Sequence, residues 1–290
     1  MEDCYLTFDG HDARLRHAAV SPNGQFVLTA SDDSTARLWD ACTGSFLQRF
    51  SGHTGRVYSV AFSANGSLAV TASDDQTVRI WSVDSGSSFL HRRGVNAAQA
   101  WIARHNAGVK TAIFSSCGLI VLSACSDGSA SLWDVESGEK QRSLIGHAGP
   151  VNSAVFSLDD VLVLTPSDDC SVRLWNAHDG ALMRIFQGPE QPVTSAVFSP
   201  GGELVLMTSG LKAVLFSASG ECVGILLGHE GCVRSGAFSA DRNVVATASD
   251  DCSVRLWSTE GGECLRTMAG RYKGASSVVF CPFPGFGRCE

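Results

Sequence analysis

The stretch TASDDSTARLWD at residues 29–40 returns as TASDDQTVRIWS at 71–82, TPSDDCSVRLWN at 165–176 and TASDDCSVRLWS at 247–258. One copy, with paired carboxylates ahead of an Arg and a Trp, would suit a catalytic or metal site. Four copies point elsewhere, because an active site needs one copy at a concave focus and a structural unit recurs. Anchored on its aromatic residue, the phrase marks Trp39, Trp81, Trp133, Trp175, Phe216 and Trp257, with spacings of 42, 52, 42, 41 and 41.

A second anchor is independent of the first. Gly-His occurs at 10–11, 52–53, 146–147 and 228–229, and Arg-His at 104–105. Nine residues after each such His position stands an apolar residue followed by Ser or Cys: Val20, Phe62, Phe114, Phe156, Phe198, Phe238 and Phe280. Within a unit, VYSVAFSANGSLAVTASDDQTVRIW (57–81) alternates apolar with small or polar residues and is broken by Asn-Gly and Asp-Asp turn signals. Period-2 runs between tight turns predict short strands and hairpins, and no stretch holds a helical period. A polar turn after each Trp and one further run, such as FLQRF or CLRTM, bring the count to four strands per unit.

A 40–45-residue period with these signatures resembles the WD-repeat β-propeller family over nearly the whole chain. The resemblance implies an all-β fold: a single β-propeller domain over 1–290, built of four-stranded antiparallel blades. Blade one is expected at about 11–50, blade two at 53–103, blade three at 105–145, blade four at 147–187, blade five at 189–227 and blade six at 229–269. Six complete blades leave an incomplete seventh, with its first strand at about 275–281 near the C-terminus (271–290) and its last strand at 4–8. Truncation, strand donation by a partner, or a two-strand remnant would each account for that unclosed edge. Repeat five departs from the pattern, with Pro189 for the His, Phe216 for the Trp and no Asp in its hairpin, so the ring is expected to be weakest there.

The resemblance also divides the two acids of the phrase. In the family, the His, a Ser or Thr of the second strand, the turn Asp and the Trp form a buried network. It falls here on His11, Asp33 and Trp39; His53, Asp75 and Trp81; His105, Asp127 and Trp133; His147, Asp169 and Trp175; and His229, Asp251 and Trp257. A buried carboxylate needs donors, which an imidazole N–H and turn amides supply, so these residues are structural. The first Asp of each pair, and the residues three and five after the His, map to the face beside the channel. These partner-binding candidates are Arg14, Arg16, Asp32, Arg56, Tyr58, Asp74, Lys110, Ser126, Asn152, Asp168, Thr194, Arg234 and Asp250. The longer connection at 85–108 adds Trp101, which either packs under the loop or stands exposed as an anchor.

Composition narrows the function classes. The chain has 290 residues, 44% of them hydrophobic, and a net charge of −7 without a Lys/Arg block, so nucleic acid is not an expected partner. No run of 18 apolar residues and no signal-like N-terminus give a cytoplasmic expectation without membrane insertion. Eleven Cys without a CxxC pair, among them Cys125, Cys170, Cys222, Cys252 and Cys264, read as free and mostly buried thiols. Asn65-Gly66 reads as a hairpin turn. One His and one Asp per blade cannot converge on a metal, no nucleophile or phosphate motif is present, and no cofactor is expected. The expectation is a non-enzymatic protein–protein interaction scaffold or adaptor of a multiprotein complex, using the top face and the open seventh-blade edge. The alternative is a sensor that reads a small anion or modified peptide at the channel mouth through Arg14, Arg56 and Arg234.

Overall fold

The computed structural model describes residues 6–83, 99–269, 274–275 and 277–280. Every regular element among them is a strand, and the strands form six four-stranded antiparallel sheets, each running in chain order across its width. The first sheet is β1 (Leu15–Val20), β2 (Phe26–Ser31), β3 (Thr35–Asp40) and β4 (Phe46–Ser51). The second is β5 (Val57–Phe62), β6 (Leu68–Ser73), β7 (Thr77–Ser82) and β8 (Gln99–Arg104), and the third β9 (Val109–Phe114), β10 (Ile120–Cys125), β11 (Ser129–Asp134) and β12 (Lys140–Ile145). The fourth is β13 (Val155–Phe156), β14 (Leu162–Pro166), β15 (Ser171–Asn176) and β16 (Leu182–Gln187). The fifth is β17 (Val193–Phe198), β18 (Leu204–Ser209), β19 (Lys212–Ser217) and β20 (Cys222–Leu227), and the sixth β21 (Val233–Phe238), β22 (Val244–Ser249), β23 (Ser253–Ser258) and β24 (Cys264–Ala269). Six four-stranded antiparallel sheets match the number of complete blades expected. They fall into two compact units, Met1–Thr165 with Trp175–Ala181, and Pro166–Leu174 with Leu182–Glu290.

Turn chemistry fixes both hairpins of a blade. The β1–β2 turn and its equivalents place Gly24, Gly66, Gly118, Asp160, Gly202 and Arg242 at φ between 58° and 73°, a region that costs glycine nothing. Asn65 closes its turn by accepting from Ser63 Oγ and the Ser67 amide at 2.7 and 3.0 Å. The β2–β3 hairpin needs the same conformation two residues after the first Asp, at Ser34, Gln76, Gly128, Cys170 and Cys252. Side chains tolerate it there because the neighbouring Asp captures the amide beyond, as in Thr35 N to Asp33 Oδ1 at 2.9 Å.

Within the first unit, apolar faces of successive sheets bury each other. Leu28, Ala30, Leu38 and Phe50 of sheet one pack with Val57, Val60 and Trp81 of sheet two. Val70, Val78, Ile80 and Ala103 pack in turn with Val109, Phe114, Val121 and Trp133 of sheet three. In the second unit Leu206, Leu215 and Leu226 meet Phe238, Val245 and Trp257. The anchor aromatic of one sheet thus fills the face of the sheet before it. Trp39, in sheet one, is covered instead by Phe8, ring centroids 5.9 Å apart.

One sequence expectation is corrected and two others are narrowed. The described residues of 4–8 (Leu6–Phe8) and of 275–281 carry no strand, so the incomplete seventh blade is not confirmed among the described residues, although Ala275 N bonds Ser249 O of the sixth sheet at 2.8 Å. The cysteines are mostly not buried. Among those described only Cys125 is, while Cys42, Cys117, Cys222, Cys232 and Cys264 are exposed and Cys170 and Cys252 half-buried, since they occupy turns, rim segments and outer strands. Of the two readings of Trp101, packing is the one found: it lies half-buried in β8, donates its indole N–H to Val135 O at 2.8 Å and packs 6.5 Å from Trp133. Packed against the next sheet, that N–H needs an acceptor, and the backbone provides it.

Leu28 is 0% and Val20 64% exposed in the same blade. Leu28→Ala is expected to cost about 2–5 kcal/mol and Val20→Ala about 0.5 or less, read as urea-unfolding midpoints. Equal losses would contradict this assignment of the core.

Candidate functional site

Each blade has two ends, and the acids of the repeated phrase turn at the end where the first strand begins. There a four-membered network closes. In blade two, Trp81 Nε1 donates to Thr71 Oγ1 at 2.9 Å, His53 Nε2 lies 2.7 Å from the same hydroxyl, and His53 Nδ1 lies 2.8 Å from Asp75 Oδ2. The indole can only donate, so Thr71 accepts from it. Ionised Asp75 can only accept, so Nδ1 carries the imidazole proton and donates it, which leaves Nε2 of the neutral ring to accept from the Thr71 hydroxyl. Blades one and six repeat this set through Thr29 and Thr247. In blade four, Thr165 joins His147 and Trp175, both at 2.8 Å.

The network binds residues that spacing alone does not name. The bridging hydroxyl stands ten residues before each Trp, at Thr29, Thr71, Ser123, Thr165 and Thr247. A second hydroxyl, two after each Asp, also feeds the carboxylate, as Thr77 Oγ1 does to Asp75 Oδ1 at 2.6 Å. Both signals recur in every copy of the phrase.

Blade three departs. His105 Nε2 is 2.9 Å from Ser123 Oγ, but Asp127 is exposed and is held by Ser129 of its own turn at 2.6 Å. The expectation of a buried His105–Asp127 contact is corrected. The residue that differs is Cys125, where Ser31, Ser73 and Ser249 accept the amide of the Asp; a thiol is larger and a poorer acceptor. Blade five replaces the set together. Met207 stands at the position of Thr71, Val214 at that of Arg79 and Phe216 at that of Trp81, with Met207 0% exposed and Phe216 against Phe186 at 5.5 Å. At its rim a cavity of about 630 Å³ is lined by Pro189, Gln191, Leu211, Lys212 and Cys232.

Electrostatics follow from burial. Burial alone would raise the Asp33 carboxyl, yet bonds from Thr35, His11 and the Asp12 amide hold it at about 2. Asp75 and Asp251 are held below the carboxylate range in the same way. Burial lowers His53 despite Asp75, and takes His105 down to about 4 with help from Lys140. In blade two the network is therefore a neutral imidazole on an ionised carboxylate.

The rim candidates share one structural cause. On β1, β5, β9, β17 and β21 the pairing register slips by one at the residue five after the His position, which makes Arg16, Tyr58, Lys110, Thr194 and Arg234 bulge residues. A bulge frees a side chain from the ladder and re-aims it. The first turn residue closes onto the residue three after the His, Asp32 N to Arg14 O at 3.0 Å and Asp74 N to Arg56 O at 2.9 Å, with Ser126 N to Gly108 O likewise at 2.9 Å.

Not all of these side chains face outward free. Arg16 grips Asp32 bidentately at 2.6 and 2.8 Å, and its guanidinium holds that carboxyl below its usual range, aided by the charges of Arg56 and Arg14. Arg234 pairs with Asp250 in the same way. Thr194 turns inward to Val233 O at 2.7 Å. Asn152 is half-buried just before β13, and Asp168 is exposed. In blades one to three, Tyr58 is flanked by cations, with Arg16 Cζ 5.6 Å and Lys110 Nζ 4.8 Å from its ring centroid. Arg14, Arg56 and Asp74 are exposed beside it.

Comparison with known proteins accounts for the repeat. The family described as WD domain, G-beta repeat matches residues 2–40, 44–82, 100–134, 138–176 and 220–258, passing over repeat five. The chain is 41% identical over 46 residues to the Ribosome biogenesis protein ERB1 of Yarrowia lipolytica, covering 16% of this chain and 6% of that protein. It is 38% identical over 55 residues to the Nuclear distribution protein PAC1-2 of Uncinocarpus reesii, covering 19% and 12%. It is 46% identical over 44 residues to human Apoptotic protease-activating factor 1, covering 15% and 4%. Each likeness spans a small part of the relative.

Two outcomes test the network. Thr71→Val strands an indole N–H and an imidazole nitrogen and is expected to cost roughly 2–4 kcal/mol in urea unfolding. A loss below about 0.5 kcal/mol would contradict the bridging role. As pH falls from 6.5 to about 4, unfolded chains protonate imidazoles that stay neutral in the fold, so stability falls; it falls further towards about 2 as Asp33 is titrated. His105→Gln is expected to flatten the upper window in the pH dependence of the urea midpoint.

Proposed function

We propose that this chain, which belongs to the WD-repeat (WD domain, G-beta repeat) family, is a non-enzymatic interaction scaffold or adaptor subunit that holds partner proteins on the rim of its blades. The observation that carries this reading is the bulge at the start of the first strand. It sets one side chain outside the ladder in five of the six blades, while the network beneath is rebuilt from the same residues in blades one, two and six. Repetition beneath and variation at the surface suit recognition, where a few Arg and Tyr anchors dominate affinity. Catalysis would need one differentiated cluster, and the His and Asp of the repeated phrase in blades one, two and six hold Trp side chains in place.

The relatives support the module rather than a pathway. Their names refer to ribosome biogenesis, nuclear distribution and protease activation, so the shared repeat is a part common to different assemblies.

Affinity purification of the intact chain, followed by hydrogen exchange of the purified complex, tests the proposal. A retained partner protein is expected to slow exchange in segments 12–16, 54–58 and 106–110, and not in the opposite-end turns 22–25, 64–67 and 116–119. Retention of no specific protein, or protection confined to the opposite end, would overturn it.

A further inference from the structure

Five of the six sheets bury the same apolar face, and the sixth does not. In sheet one that face is Leu28 and Ala30 of β2, Ala36 and Leu38 of β3 and Phe50 of β4, with Ala36 opposite Phe50 in the ladder. Sheet six repeats the register with Ala246, Ala248, Val254 and Leu256, and sets Met268 opposite Val254. The fourth-strand member of the set is Phe50, Ala103, Leu144, Phe186 or Leu226 in the other sheets, each 1–3% exposed, whereas Met268 is 40% exposed. Val254 and Leu256 are half-buried where Ala36 and Leu38, or Val78 and Ile80, are buried. An apolar face that is dry in five copies and wet in one is a surface fitted to a cover.

The five dry copies show what that cover is. Each is packed by the anchor aromatic of the following sheet: Trp81 over sheet one, Trp133 over sheet two, Trp175 over sheet three, Phe216 against Phe186 of sheet four, and Trp257 over sheet five. The ring meets the fourth-strand residue, as in Phe50 and Trp81 with centroids 5.4 Å apart. At that place in sheet six Met268 presents a thioether, a side chain that packs well on an aromatic ring. The chain also leaves sheet six as it leaves sheets three and four. Ala275 N donates to Ser249 O at 2.8 Å, as Val151 N does to Cys125 O and Val193 N to Ser167 O, both at 3.1 Å. Those two bonds lead into a covering sheet, while residues 277–280 carry no strand and Val279 is exposed.

We propose that this face of sheet six docks a β-hairpin of a partner protein, whose Trp or Phe ring lies on Met268 and whose aliphatic neighbours cover Val254 and Leu256. The hairpin continues, in another chain, the interface that recurs between successive sheets of this one. A second copy does not suit the place, because the six anchor aromatics of the chain are 1–7% exposed and already committed. Trp101 is committed as well, to Val135 O and Trp133. The surface is built from strand interiors and not from the hairpin ends that carry the scaffold reading, so either can fail alone.

The probe is the labelled peptide LAVTASDDQTVRIWS, a copy of residues 68–82 that form the hairpin over sheet one, together with its Ala-for-Trp counterpart. Fluorescence anisotropy with the intact chain is expected to show binding of the Trp peptide, weaker by at least about tenfold for the Ala counterpart and for Met268→Glu. Ile145→Glu, at an exposed position of β12, is expected to bind as the wild type does. Far-UV circular dichroism and melting temperature establish that both variants remain folded. On the unaltered chain, peroxide oxidation read by mass spectrometry is expected to reach Met268 about as fast as exposed Met183 and faster than buried Met207, and the Trp peptide to slow it at Met268 alone. Oxidation of Met268 as slow as that of Met207 without peptide, no binding of the Trp peptide, equal binding of its Ala counterpart, or an equal loss in Ile145→Glu would each overturn the proposal. Dimers in sedimentation that Met268→Glu dissociates would overturn it too, since the occupant would then be a second copy. Exchange protection at 12–16, 54–58 and 106–110 tests the rim separately, and neither result decides the other.

Discussion

Everything in a blade hangs on one hydroxyl that serves two rings. Thr71 Oγ1 takes the proton of the Trp81 indole and gives its own to His53, and that exchange determines which imidazole nitrogen faces Asp75. The carboxylate in turn organises the β2–β3 hairpin by accepting from the Thr77 amide at 3.0 Å and from the Thr54 amide of the incoming loop, also at 3.0 Å. A third strand, a second strand, a hairpin and the preceding loop are thus locked by four side chains. Trp81 is buried to 2%, so the polar end of the network orients the largest apolar group of the sheet interface.

Blade five makes the same point by exception. Removing one member of a satisfied buried network strands the others, whereas exchanging all of them for apolar groups need not. Met207, Val214 and Phe216 with Pro189 are such a joint exchange, and the fifth sheet keeps its four strands. Blade three shows an intermediate solution: Cys125 loosens the hairpin, Asp127 swings to solvent, and the remaining bond of His105 to Ser123 still holds Trp133.

The fold was legible because the network is stereotyped in sequence. His precedes its bridging hydroxyl by 18 residues and its Asp by 22, and the hydroxyl precedes Trp by 10, so any one anchor locates the rest. What spacing could not supply was the pairing among rim side chains. Arg16 and Asp32 read separately as two free charges, and only the bulge at Arg16 brings them into bidentate contact. Trp101 was ambiguous for a related reason: the register of β8 decides whether an indole faces a neighbour or water, and the connection before it carries no turn signal that fixes the register.

The bulge and the network therefore divide the labour of the repeat. The network joins the His, Asp and Trp of the repeat and holds the hairpin whose first Asp closes onto the incoming strand. Because that closure is made by backbone groups, Asp32 N to Arg14 O and Asp74 N to Arg56 O, the side chains at 14 and 56 are free to vary without disturbing it. The bulge residue two positions on is likewise outside the ladder, so Arg16, Tyr58 and Lys110 differ while β1, β5 and β9 keep one register. These rim positions are accordingly where substitution costs the fold least.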